Sequence, residues 1–268
     1  MMTTGLNATQ IKWVALFFMT IDHLGAFGGS IPFFADNYVL LRIVGRIAAP
    51  LFLFIVAESA RHTKNRGLLL LRLYFAGVFV VFFTAATNFL FGNSIGYFYP
   101  LGNIFFTFFY TVLYICIIEG IASAIKDKST KHLLIYTLAL ISTCIPQLLH
   151  QTLQNSLIGT LLPSPLYIEY SPIFILMGVI FYFARYKKYQ VWVFVGFWIL
   201  CCIGLDLQYI RSLWTFNHFF NSIQSWMLLA LPFILLYNGR RGEGQKWFFY
   251  IYYPLHKYLI FLYQALLF

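Results

Sequence analysis

Asp22, His23, Arg42, Arg46 and Glu58 are ionisable residues set inside two apolar segments, KWVALFFMTIDHLGAFGGSIP and LRIVGRIAAPLFLFIVAESARHTKNR. Ionisable groups at membrane depth are costly, so their presence marks chemistry or a path for ions. A helix rises about 1.5 Å per residue through a hydrocarbon core of about 30 Å, which puts His23 roughly 16 Å in from Lys12, with Asp22 at nearly the same depth. On the second segment Arg42 and Arg61 lie about 28 Å apart and bracket the core. Arg46 then sits one turn inside the boundary, within reach of Asp22 and His23. Successive helical residues point about 100° apart, so Asp22 does not orient His23 from beside it and is expected to pair with an arginine of the next helix. His23 is an acid–base group or part of a proton relay. Arg46 suits a carboxylate, a phosphate or a developing oxyanion. Arg42 reads equally as a side chain snorkelling to the outer headgroups.

A second set lies toward the inner boundary. Glu58, Arg61 and His62 stand at i, i+3 and i+4 and form a local ion pair, or else frame a basic mouth with Arg66, Arg240 and Lys246 that would suit a phosphorylated cofactor. The segment KWFFYIYYPLHKYLIFLY puts His256 about 15 Å in from Lys246, the depth of His23. Pro254 is expected to kink that helix and free a carbonyl there. Two histidines from opposite ends of the chain can thus converge on one site. Asn103, Thr107 and Glu119 on the fourth apolar segment, and Glu169 before the sixth, are polar packing residues or substrate contacts.

These residues need a scaffold of membrane helices. The chain is 61% apolar and 10% charged, which excludes an ordinary soluble domain and predicts an all-α, polytopic integral membrane bundle forming a single domain over 1–268. Nine spans are predicted, at 10–28, 42–60, 68–91, 101–125, 132–150, 168–185, 189–207, 220–238 and 246–266. The first apolar segment has no small-residue cleavage site after it and reads as a retained helix. The net charge of +10 reflects basic residues in alternating loops, with Arg42, Arg46, Arg211 and Lys257 as the exceptions. That pattern predicts a cytoplasmic N-terminus and an external C-terminus, and it calls for no nucleic acid partner. The outer loops GNSIGYFYPLGN and LLPSPLYIEYSP, with the stretch from Asp206 to Arg211, are rich in turn residues and suit a cavity mouth or plain turns. The cysteines Cys116, Cys144, Cys201 and Cys202 show no metal-like spacing, and no metal is expected. No Walker loop, dinucleotide fingerprint, H-E-x-x-H motif or serine-triad signature is present in the sequence.

The segments IKWVALFFMTIDHLGA, LRIVGRIAAPLFLFIVAESARHTKN, LGNIFFTF, IEYSPIFILMGVIFY and LLALPFILLYNGRRGEGQKWFFYIYYPLH resemble the TraX family, membrane proteins named for the F-pilin N-acetylase. Together they span nearly the whole chain. Glu169 and Ser171 stand where Asp and Gly are expected, and Ala49 where Phe is common. The family is distantly similar to the broader integral-membrane acyltransferases, whose first-helix His corresponds to His23 and whose P-L-F motif corresponds to Pro50, Leu51 and Phe52.

The resemblance implies transfer of acetyl from cytoplasmic acetyl-CoA to an acceptor at or beyond the cell (inner or plasma) membrane. The acceptor is a peptide amine of the pilin type or a hydroxyl of a cell-surface glycan or polymer. On that reading His23 is the general base or carries the acetyl group, Arg46 and His256 stabilise the oxyanion, and Asp22 sets the charge of the site. Arg42, Glu58, Arg61, His62, Arg66, Arg240 and Lys246 face the acetyl-CoA, and Asn103 and Glu169 the acceptor. The alternative is a proton-coupled transporter or a lipid or glycan flippase using the same buried Asp, His and Arg. No internal repeat favours that alternative.

Overall fold

The computed structural model describes residues 5–95, 103–153, 161–166, 168–203 and 223–267. Among them the regular elements are helices: α1 (Ala8–Phe27), α2 (Pro32–Asp36), α3 (Tyr38–Gly45), α4 (Ala48–His62), α5 (Arg66–Ile95), α6 (Ile104–Lys126), α7 (Thr130–Ser142), α8 (Ile145–Leu153), α9 (Ser171–Phe183), α10 (Lys187–Ile203), a 3₁₀ helix (Ile223–Ala230), α11 (Leu231–Leu236) and α12 (Lys246–Leu267). An isolated parallel bridge joins Leu6 to Tyr237.

Among the described residues four stretches are long and apolar enough to cross a membrane: Tyr38–His62, Arg66–Leu90, Ile104–Lys126 and Thr130–Leu149. The chain is a membrane protein. Helix α5 shows why, because Phe75, Phe79, Phe82 and Phe89 all stand exposed along it, an apolar face that lipid covers and water would not.

Three of the expected spans differ in detail, and proline accounts for each. Residues 42–60 were expected as one helix, but the helix begins at Tyr38 and breaks into a turn at Arg46 and Ile47. Pro50 has no N–H for the Arg46 carbonyl and its ring crowds that carbonyl, so the helix gives way four residues before it. Pro146 does the same to 132–150, where the turn falls at Thr143 and Cys144. In 220–238 a 3₁₀ helix passes into α11, with Pro232 in the first turn of α11. The segments 10–28 and 246–266, expected as spans, are helical as α1 and α12 but are not among those four stretches, and α12 runs on through Pro254.

The residues form two compact units, Met1–Ile55 with Phe183–Phe268, and Val56–Tyr182, the division falling inside α4. In the first unit the buried residues Ala8, Ile11, Ala15, Met19, Asp22 and His23 follow one another at helical spacing, so the apolar stripe of α1 ends in the two ionisable residues. The start of α1 is held by a capping box between Asn7 and Gln10 and by the loop before α12. Ala8 N donates to Arg240 O at 2.8 Å, and Thr9 Oγ1 lies 2.6 Å from Glu243 O. Gly242 has a φ of +72° and faces Asn7 so closely that a Cβ would overlap it, which reserves that turn for glycine. Helices α1 and α12 therefore start from one loop, and His23 of α1 meets His256 of α12 farther along. In the second unit α5 packs on α6 at Gly77, where a Cβ would overlap the Phe106 ring, and α6 packs on α7 in the same way at Gly120 and Tyr136.

Candidate functional site

Two clusters meet on successive residues of α1. Asp22 turns toward α3, where its Oδ2 accepts from Arg42 Nη1 at 2.7 Å and its Oδ1 from Arg46 Nη2 at 2.6 Å. Asp22 is buried, and each arginine brings a charge-assisted bond to a different oxygen. Arg46 Nη1 also donates to Gln224 Oε1 at 3.3 Å. Its Nε donates to Arg42 O at 3.3 Å, closing off a carbonyl at the end of α3. The break imposed by Pro50 puts Arg46 in that position. Arg42, whose sequence position left open an outward course, is on Asp22. Its Nε is buried without a hydrogen bond among the described residues.

His23, one residue along, turns toward α12. Its Nδ1 stands 2.5 Å from His256 Nε2, and both rings are buried. The rings are parallel to within 5° with centres 4.8 Å apart. Atoms of face-to-face rings stay about 3.5 Å apart or more, so a 2.5 Å contact places these rings edge to edge in nearly one plane, the geometry of a hydrogen bond. His256 Nδ1 lies 2.7 Å from Tyr252 O. The Tyr252 ring lies over the His256 ring at 5.0 Å, and its hydroxyl meets Thr20 Oγ1 at 2.9 Å. Phe27 and Tyr253 flank His23, and Lys257 donates to the Tyr253 hydroxyl at 2.8 Å.

The residues expected at the inner boundary are, within the second unit, engaged with one another. Arg61 bonds Glu58, and its Nε and Nη2 donate to Tyr182 O at 3.0 and 2.5 Å, with Phe181 O also in contact. Those carbonyls belong to the last turn of α9, where they have no helical partner, so Arg61 caps that helix. Arg66 bonds Glu119 and donates to the Tyr182 hydroxyl at 2.6 Å, while that hydroxyl donates to Glu119. His62 lies 3.9 Å from Glu58 and is largely exposed.

Asn103 and Glu169 make contacts of their own within the second unit. Asn103 is fully buried, caps α6 through Phe105 N and Phe106 N, and donates to Gly77 O at 3.1 Å. Its amide is a structural tie between α5 and α6. Glu169 receives the Thr107 hydroxyl on its backbone oxygen at 2.5 Å. Arg240 is exposed at the loop before α12. The Lys246 side chain, most of GNSIGYFYPLGN and the stretch from Asp206 to Arg211 lie outside the described residues. Among the described residues no three His, Cys, Asp or Glu side chains gather as a metal site. Sequence reasoning missed Gln224, Tyr252 and Tyr182, ordinary polar residues in apolar runs with no spacing to distinguish them.

No solved structure matches the chain. A probable fimbrial assembly protein FimC, serogroup H1, of Dichelobacter nodosus is 25% identical over 262 residues, covering 93% of this chain and 92% of that one. The residues IKWVALFFMTIDHLGA and LRIVGRIAAPLF, which supply Asp22, His23, Arg42 and Arg46, lie within a match of the TraX protein family model to residues 7–264, and the chain belongs to the TraX family.

Proposed function

We propose that the chain is a nine-span acetyltransferase of the inner or plasma membrane, with a cytoplasmic N-terminus and an external C-terminus. It moves an acetyl group from cytoplasmic acetyl-CoA to an amine or hydroxyl at or beyond the membrane. The observation that carries this reading is the buried contact between His23 and His256, one residue along α1 from two guanidiniums that share one carboxylate. A buried, neutral imidazole suits a base, and the net positive field beside it favours the oxyanion that forms as the proton is taken.

Acetyl-CoA supplies the acetyl group as a thioester whose thiol is the leaving group. His23 takes the acceptor's N–H or O–H proton as the acceptor atom bonds to the carbonyl carbon. It returns that proton to the sulfur as the C–S bond breaks, so the site ends as it began. Arg42 and Arg46 outnumber Asp22 by one charge and favour the developing oxyanion, a type of help worth about 10²–10³-fold for a single donor. The CoA phosphates fall first to Arg240 and Lys246, because Arg61 and Arg66 are already held by carboxylates and carbonyls. The fimbrial name of the relative favours the N-terminal amine of a fibre subunit over a surface glycan as acceptor.

The test is to incubate purified protein with radiolabelled acetyl-CoA and candidate acceptors and to follow CoA release. Wild type should release CoA, and His23→Ala should lose about 10²-fold or more while still binding acetyl-CoA. A wild-type protein that releases none with any amine or hydroxyl acceptor returns the site to the transporter reading. A reporter fused after Phe268 should behave as external, and a cytoplasmic signal would reverse the topology.

A further inference from the structure

We infer that His256 is a positioning residue that fixes the tautomer of His23 and leaves His23 Nε2 as the reactive nitrogen. The inference rests on the acetyltransferase reading for its kinetics and on geometry alone for the proton assignment.

Tyr252 O can only accept, so the His256 Nδ1 that lies 2.7 Å from it must carry a proton. In a neutral imidazole the other nitrogen then holds a lone pair, which makes His256 Nε2 an acceptor. That atom lies 2.5 Å from His23 Nδ1 in nearly the same plane, so His23 Nδ1 is the donor and carries its own proton. The lone pair of neutral His23 is left on Nε2, and among the described residues nothing hydrogen-bonds that atom. The opposite assignment would set the lone pair of His256 Nδ1 against the lone pairs of Tyr252 O. It is excluded by that repulsion.

Both His256 nitrogens are thereby occupied, which leaves none to donate to an oxyanion. The expected role of His256 as an oxyanion donor is therefore replaced by an orienting one. When His23 Nε2 accepts the acceptor's proton, the new positive charge is shared along the line from His23 Nδ1–H through His256 to the Tyr252 carbonyl dipole. No further proton enters or leaves the pair. The Tyr252 ring packed over His256, tied at its hydroxyl to Thr20, holds the second imidazole in plane. The arrangement has the logic of a base oriented by a third group, here a backbone carbonyl acting through a second histidine.

Two variants and one spectroscopic measurement test this. His256→Ala removes the acceptor, and His256→Gln can place an amide oxygen near the position of Nε2. The expected result is a loss of about 10²-fold or more in kcat for His256→Ala with the KM for acetyl-CoA little changed, and activity within about tenfold of wild type for His256→Gln. Independently of activity, ¹⁵N-histidine spectra of the protein in lipid nanodiscs, with the His23 signals assigned by their loss in His23→Gln, should show protonated Nδ1 and bare Nε2. In His256→Ala the proton should move toward Nε2. A wild-type His23 protonated on Nε2 overturns the inference, as does a His256→Gln as inactive as His256→Ala. Protonated Nδ1 in a protein that transfers no acetyl would uphold the tautomer assignment and reject the acetyltransferase reading.

Discussion

Gly45 of α3 lies against Asp22 of α1 so closely that a methyl group added at Gly45 would overlap both the side chain and the Cα of Asp22. That approach is what lets Arg42 and Arg46, on either side of Gly45, reach the same carboxylate. Gly45→Ala should gain about 1 kcal/mol in helix propensity and lose more to the overlap, typically about 1–3 kcal/mol, with α3 forced off α1. Thermal unfolding in detergent should show a lower Tm. An unchanged or higher Tm would mean that the two helices do not approach in this way.

The three charges predict an order of damage. Asp22→Asn leaves two half-buried guanidiniums without a carboxylate, a loss toward the lower end of the range of about 3–5 kcal/mol that breaking a fully buried pair costs. Arg42→Gln leaves Asp22 and Arg46 as a neutral pair and should cost about 1 kcal/mol. Asp22 and Arg46 replaced together by Ala should fall short of the sum of the single losses by about 0.5–3 kcal/mol. Unfolding midpoints that rank Arg42→Gln as the worse variant would contradict the charge count.

Arg61 and Arg240 should separate by kind of effect. Arg61→Lys cannot hold Glu58 and the α9 carbonyls at once, since an ammonium is a point charge in place of a planar fork, so it should lower stability. Arg240→Gln, at an exposed position, should leave stability unchanged and raise the KM for acetyl-CoA with little effect on kcat. If Arg61→Lys is fully stable and raises the KM instead, Arg61 belongs to phosphate binding and not to the end of α9.

Counting along a helix makes part of the site legible in the sequence. Depth places Asp22, His23 and His256 near the midplane, with Arg46 one turn inside the boundary and within reach of them, because rise per residue is nearly constant. Neighbouring residues on α1 have to face different partners, because a helix turns about 100° per residue, and Asp22 and His23 do. The breaks before Pro50 and Pro146 are also latent in the sequence, since a missing N–H acts on a carbonyl at a known offset. Tertiary structure decided which helix stands opposite each face. His23 and His256 are 233 residues apart, and no local rule sets the register of α12 on α1. The anchoring of both helix starts by the loop around Gly242, and the nitrogen that each imidazole presents, are products of packing. Arg42 went to Asp22 and not to headgroups, Arg61 to the end of α9, and Asn103 to the start of α6, for one physical reason. A polar group near the end of a helix bonds whichever unsatisfied carboxylate, carbonyl or N–H the neighbouring segment brings within about 3 Å, and only the fold determines which one arrives.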